Sequence, residues 1–312
     1  MRIAVIMPAY NAAKFIGESI ESVINQTHSD WELHIVDDGS TDETRNIVSK
    51  YLFDNRIKYY YQNNAGQASA RNNGIKKTTA NYIAFLDSDD TWEKEKLEKQ
   101  IQYFDNNIDL VFGASYIINS NGERQISQMT PGIGIYSGQF LINKLILGSF
   151  FIPILTVIVK KDVLINVGLF NESKSIKNAE DFDLWLRIAL NGYSMMCISE
   201  TLSNYRIHEN QSTSIDTAST FQVIESLLLF KEKDVSYSNN IKISILNKLI
   251  VYFKKIEIST NSKYIILNIL NRTQYYFSPL NYFFTIKINS LFIVYLKVRI
   301  KLLQFKNNLC VV

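Results

Sequence analysis

The chain has 312 residues, 46% of them hydrophobic and 20% charged, which excludes wholesale disorder and allows one large domain or two modest ones. Two cysteines far apart, Cys197 and Cys310, exclude a disulfide scaffold or a Cys-based zinc site and fit a reducing compartment. The net charge of +3 hides an asymmetry: residues 1–217 carry 20 Lys and Arg against 26 Asp and Glu, while residues 218–312 carry 13 against 4. A sign change of this kind suggests two modules with different partners.

Met1 to Pro8 is apolar but too short for a signal peptide, so it reads as a buried first strand. Ala12 to Gln26 has helical spacing through Phe15, Ile16, Ile20, Val23 and Ile24. Leu33 to Val36 reads as a second strand ending at Asp37-Asp38-Gly39. Ser40 and Glu43 then have the spacing of a capping box opening a helix from Thr41 to Tyr51. Ile57 to Tyr61 is a third strand, Gln67 to Lys76 a helix, and Tyr82 to Leu86 a fourth strand. Thr91 to Phe104 reads as a charged, exposed helix and Leu110 to Ile118 as a strand. Asn121-Gly122 marks a hairpin turn. Ser137 to Leu147 reads as helix, Thr156 to Lys160 as strand, Lys161 to Val167 as a short helix and Asp181 to Asn191 as an amphipathic helix. The alternation predicts an α/β fold with a largely parallel sheet and helices on both faces. No glycine occurs beyond Gly192, and the composition turns to Ile, Leu, Lys and Asn, so a boundary is placed at 215. Residues 216–312 are expected to be a basic, helix-rich region. No run of about 18 uncharged apolar residues occurs, so no transmembrane helix is expected.

The chemistry concentrates at strand ends. Asp87-Ser88-Asp89-Asp90 places three carboxylates within four residues. Like charges this close raise one another's pKa unless a cation joins them, and hard oxygen ligands suit Mn²⁺ or Mg²⁺. Asp90 with Glu93 also has the spacing of a helix cap. In a parallel sheet the ends Pro8-Ala9-Tyr10-Asn11, Asp37-Asp38-Gly39 and Asp87-Ser88-Asp89 share one edge, where ligands bind.

These segments, with Asn64-Ala65-Gly66-Gln67 through Arg71-Asn72 and with Glu180-Asp181-Phe182-Asp183, come in the order and spacing of a known family. The first 210 or so residues resemble the family 2 inverting glycosyltransferases of the GT-A fold. The resemblance implies that the segment Pro8, Ala9, Tyr10 and Asn11 lines a nucleotide-sugar site, with Tyr10 stacked on the base. It implies that Asp38 accepts from uracil N3–H, and that Gly66, Gln67 and Arg71 lie near the nucleotide. There Arg71 would pair with a phosphate or orient Asp38. It places Asp87 on the ribose with Ser88 beside it, and Asp89 on the metal. It makes Asp181 the general base, taking the acceptor hydroxyl's proton. Asp183 and Arg187, four apart on one helix, read as a structural pair. The Arg206-Ile207-His208 segment resembles one that follows the base in many relatives. Arg206 would neutralise phosphate charge, and His208 would complete the metal site or touch the diphosphate.

The implied reaction is metal-dependent transfer of a sugar, most simply from a UDP-linked donor, to an acceptor hydroxyl in cell-surface polysaccharide or glycoconjugate synthesis. The implied acceptor is a glycan or a lipid-linked glycan. Tyr282 to Phe305 is apolar with Lys287, Lys297, Arg299 and Lys301 spaced through it. It reads either as a basic amphipathic helix on an anionic membrane or as a helix docked on the catalytic domain. The expected location is the cytoplasm, with peripheral contact at the inner face of its membrane. No nucleic-acid motif is present. Two other readings stand beside this one. A nucleotidyltransferase would carry a Gly-rich loop after the first strand, where this chain has Pro8-Ala9-Tyr10-Asn11-Ala12. A non-catalytic nucleotide-sugar-binding scaffold would lack the base and metal residues.

Overall fold

Every residue of β1 (Ile3–Ala9) is buried, because this strand lies inside the sheet with helices on both faces. The computed structural model describes residues 1–127, 132–148, 151–209, 211, 217–237, 240–241, 243–245 and 247–248. After β1 come α1 (Ile16–Ile24), β2 (Trp31–Asp37), α2 (Thr44–Ser49), β3 (Ile57–Tyr61), α3 (Gln67–Lys77) and β4 (Tyr82–Phe85). Then follow β5 (Thr91–Trp92), α4 (Lys96–Ile101), β6 (Leu110–Ile118), β7 (Arg124–Ser127), β8 (Gly134–Tyr136) and α5 (Gly138–Leu147). The series ends with β9 (Ile158–Lys160), α6 (Lys161–Asn166), α7 (Glu180–Leu190), β10 (Met195–Arg206) and α8 (Thr217–Lys233).

The described strands form one sheet in the order β3-β2-β1-β4-β9-β6-β10-β5, with β7 on β6 and β8 on β10. The first four run parallel. Beyond them β9 reverses against both β4 and β6, and β6 and β10 are parallel again. The sheet is therefore parallel where the βα repeats wind it and mixed beyond.

Side-chain alternation along β1 divides the core. Ile3, Val5, Met7 and Ala9 pack with Ile16, Ile20 and Val23 of α1 and Leu97 of α4 on one face. On the other face α3 lies so close that a Cβ on Gly74 would meet Ile6 Cγ2 at 2.8 Å and Val36 Cγ2 at 3.3 Å. Helix α3 is polar in composition, and its docking is polar too. Asn72 accepts from Phe170 N–H at 2.9 Å and donates to Phe170 C=O at 2.9 Å and to Glu172 at 2.7 Å.

Several local expectations are corrected. Ser40 and Glu43 form no capping box. Helix α2 begins at Thr44 without a side-chain cap, and Ser40 Oγ instead accepts from Asn11 N–H at 2.9 Å. The expected exposed helix from Thr91 is a two-residue strand and then a shorter helix, which buries Lys96, Leu97, Gln100 and Ile101. Lys96 stacks 4.2 Å from the Trp92 ring centroid and donates to Gln100, and burial pushes its amine well below the usual range. Asp90 caps no helix, since its Oδ1 accepts from Arg206 N–H at 2.8 Å. Strand β10 was not anticipated, because a register shift between Cys197 and Ser203 interrupts its alternation.

The chain divides into two compact units, Met1–Ile215 and Asp216–Val312. In the second, α8 buries Ile224, Leu227, Leu228 and Phe230, and the Phe230 ring packs 5.7 Å from that of Tyr237. Residues 249–312, with the Tyr282–Phe305 stretch, lie outside the described residues. Among the described residues no helix is long and apolar enough to cross a membrane.

Overpacking a tight helix–sheet contact costs about 1–3 kcal/mol. Gly74→Val is therefore expected to lower unfolding free energy in urea by about that amount. An unchanged midpoint would show that α3 does not depend on this close approach.

Candidate active site

The site is built at the carboxyl ends of β1, β2 and β4. The last ladder bond between β1 and β4 runs from Leu86 N–H to Ile6 C=O at 3.2 Å. Beyond it the β1–β4 pairing ends, and Pro8, which has no N–H to give, follows two residues on. This opening is the crevice expected where strand order reverses about β1.

The loop after β1 is locked to the loop after β2. Thr41 N–H donates to Asn11 Oδ1 at 2.8 Å, Ala12 N–H to Thr44 Oγ1 at 2.8 Å and Ala13 N–H to Asp42 Oδ2 at 3.0 Å. Asn11 holds this lock from a left-handed backbone, φ +48°, a conformation Asn tolerates. Pro8 and Ala9 are buried, and Ala9 C=O accepts from Asp38 N–H at 2.8 Å. Tyr10 stands 55% exposed, an open aromatic face at the rim.

Asp37 and Asp38 divide their work. Asp37 accepts from Ser40 N–H and Tyr59 O–H at 2.8 and 2.6 Å and sets the turn. Asp38 is buried and accepts from Gln62 Nε2, Ala65 N–H and Gly66 N–H, each at 2.8 Å. Gly66, at φ +93°, turns the chain into α3. Asp38 thus ties the end of β2 to the start of α3.

Arg71 projects from α3, is 2% exposed, and bridges two carboxylates. Its Nη2 donates to Asp87 Oδ1 and its Nη1 to Glu180 Oε1, both at 2.7 Å. These partners do not include Asp38, so the expectation that it orients Asp38 is corrected. Gln67 reaches the same Glu180 oxygen at 2.5 Å. Helix α7 then starts with Glu180 buried and Asp181 partly exposed beside it. Burial pushes the Glu180 carboxyl up to about 7 against the pull of Arg71. Burial also raises Asp181, opposed by its bond from Phe182 N–H at 2.7 Å and by Arg71. A raised carboxylate is a better proton acceptor near neutral pH. Asp183 and Arg187 pair at 2.7 Å within α7.

The acidic turn after β4 meets the end of β10. Asp89 Oδ2 and His208 Nε2 lie 2.9 Å apart. Burial and the Asp87 charge raise Asp89, and His208 opposes them. Ser88 sits half-buried between Asp87 and Asp89. Arg206 is 2% exposed and does not stand open to a phosphate. Its guanidinium donates to Asp89 C=O at 2.8 Å and Glu18 at 2.6 Å, and stacks 4.7 Å from the Phe15 ring. It therefore pins the acidic turn to α1 and β10.

A cation would fit between Asp89 and His208. The carboxylate oxygen suits Mn²⁺ or Mg²⁺, the imidazole nitrogen favours Mn²⁺ of the two, and adjacent ligands about 2.1 Å from an octahedral ion lie about 3 Å apart. Among the described residues no group of three or more His, Cys, Asp or Glu side chains is placed to hold a metal, so further ligands would come from substrate and water. Sequence reasoning missed Glu180 and Glu18. Glu180 reads as a helix-dipole residue, and its neighbour Asp181 was its one signal.

The chain belongs to glycosyl transferase family 2, whose family model matches residues 4–164. It is 32% identical over 214 residues to a putative teichuronic acid biosynthesis glycosyltransferase, TuaG, of Bacillus subtilis, covering 68% of this chain and 81% of that one. It is 37% identical over 215 residues to the Escherichia coli enzyme WfgD, named as a UDP-Glc:α-D-GlcNAc-diphosphoundecaprenol β-1,3-glucosyltransferase, covering 68% and 79%. The chain spans only 34% of the length of an uncharacterized glycosyltransferase of Rickettsia felis, to which it is 35% identical over 221 residues. The structure of S. aureus TarS 1–349 with UDP-GlcNAc has the same fold, with a TM-score of 0.71 at 22% identity over 88% of this chain and 82% of that one. The α/β fold is thus that of the GT-A glycosyltransferases, and the chain carries a glycosyl transferase family 2 domain.

Because Glu180 stands at about 7 in the fold and at 4.5 unperturbed, the folded state holds its proton more tightly. Its contribution to stability is full below about 4.5 and is lost as pH rises through 7. The unfolding free energy of Glu180→Gln should therefore rise relative to that of the parent chain between pH 5 and pH 8. A difference constant with pH would contradict the raised pKa.

Proposed function

We propose that this chain transfers a sugar with inversion from a UDP-linked donor to an acceptor hydroxyl in bacterial surface-polysaccharide synthesis. What carries the reading is the meeting at one sheet edge of Asp38, Asp87, Asp89 and His208 with the start of α7, which bears Asp181. Tyr10 offers its exposed ring to the base. Asp38 Oδ2 accepts from one N–H, and a carboxylate oxygen has room for a second donor, here uracil N3–H. Asp87 keeps Oδ2 for the ribose hydroxyls, its Oδ1 being held by Arg71.

Asp181 takes the proton from the acceptor hydroxyl as that oxygen attacks the anomeric carbon. The bond from this carbon to the diphosphate oxygen breaks, and UDP leaves with the electron pair from the opposite face. Asp89 and His208 would hold a Mn²⁺ or Mg²⁺ ion, which supplies Lewis-acid stabilisation of charge on the leaving diphosphate. The name of WfgD, a relative acting on a diphosphoundecaprenol-linked sugar, supports a lipid-linked acceptor here. The basic composition of residues 216–312 supports peripheral attachment to an anionic membrane, with catalysis on its cytoplasmic side.

Asp181→Asn should abolish transfer across a panel of nucleotide sugars while UDP affinity stays within about threefold, and Asp89→Asn should mimic EDTA treatment. Losing a positioned base costs about 10²–10⁴ in rate. Transfer by Asp181→Asn at the parent rate would refute the base, and undiminished turnover in EDTA would refute the metal. A non-catalytic scaffold would bind UDP-sugars without turnover. In flotation with anionic liposomes the full chain should rise and a truncation at 215 should sink. Equal flotation of the two would remove the role given to residues 216–312.

A further inference from the structure

We propose that Arg71 is a positioning residue that fixes the spacing between the nucleotide-side carboxylate Asp87 and the helix start bearing Asp181. This rests on the donor and base assignments above and adds the element that joins them. The two carboxylates belong to segments 93 residues apart, the turn after β4 and the start of α7. One buried guanidinium spans them, with Nη2 to Asp87 and Nη1 to Glu180 at 2.7 Å each. Its own placement is set on both sides. Gly74 lets α3 lie against Ile6 and Val36, and Asn72 bonds α3 to Phe170 and Glu172 on the approach to α7. Gln67, one turn earlier on α3, holds the same Glu180 oxygen at 2.5 Å. A ribose bound at Asp87 Oδ2 would therefore draw on the carboxylate whose other oxygen Arg71 holds. Seating the donor and seating the base become one event.

A planar fork offers separate donors at fixed spacing to the two carboxylates, whereas an ammonium offers all its donors from one nitrogen on a flexible stem. Arg71→Lys is the informative variant because it keeps a cation among Asp87, Glu180 and Asp181 and so preserves the fold. Its kcat for sugar transfer should fall about 100-fold, the cost of an ångström-scale misplacement, with donor KM within about threefold. Hydrogen exchange gives a readout that needs no turnover. In the parent chain UDP with Mn²⁺ should slow exchange in both 86–90 and 178–183. In Arg71→Lys it should slow only 86–90. A merely structural arginine would change thermal stability and leave both segments responding to UDP. The proposal is overturned if Arg71→Lys keeps kcat within threefold, or if 178–183 responds to UDP as in the parent. A parent chain that binds UDP and shows the linked protection but transfers no sugar would overturn the transferase reading and support the linkage.

Discussion

Five carboxylates crowd one crevice, and the site can exist only because cations are threaded among them. Asp87, Asp89, Asp90, Glu180 and Asp181 come from two distant segments, with Asp90 and Glu180 buried and the other three half-buried. Like charges so placed would drive their segments apart or force protonation. Arg71 answers this between Asp87 and Glu180, and the Arg206 charge and backbone N–H oppose the rise at Asp90. Removing one partner of a buried ion pair costs about 3–5 kcal/mol, so these cations hold the geometry as well as the charge.

Both arginines that take part, Arg71 and Arg206, are buried. Arg206 touches β10, the acidic turn, α1 and the hairpin carbonyls of Asn119 and Ser120. Its side chain cannot swing out without releasing three parts of the fold. The crevice is left with a surplus of acid, which a divalent cation would offset.

Much of the first unit was legible because its local signals agree with its fold. The apolar runs of β1, β2 and β4 and the helical spacing of α1 and α7 each match the observed element. Failures fell where tertiary partners outbid local ones. Ser40 had a capping partner in sequence and chose Asn11. Asp90 had one in Glu93 and chose the backbone of Arg206. Lys96, charged and apparently exposed, is buried against Trp92. Strand β10 was hidden by a bulge that no period-two reading survives.

The sequence by itself determined the strand ends and the acidic turn that follow from hydrophobic period and composition. It also determined the family, because motif order and spacing are properties of the chain. Which residue meets which was decided only by tertiary structure. Arg71 lies 109 positions from Glu180, and Asp89 lies 119 from His208. No local rule reaches that far, and a buried charge takes its partner from whatever the packed sheet and helices bring within hydrogen-bond distance.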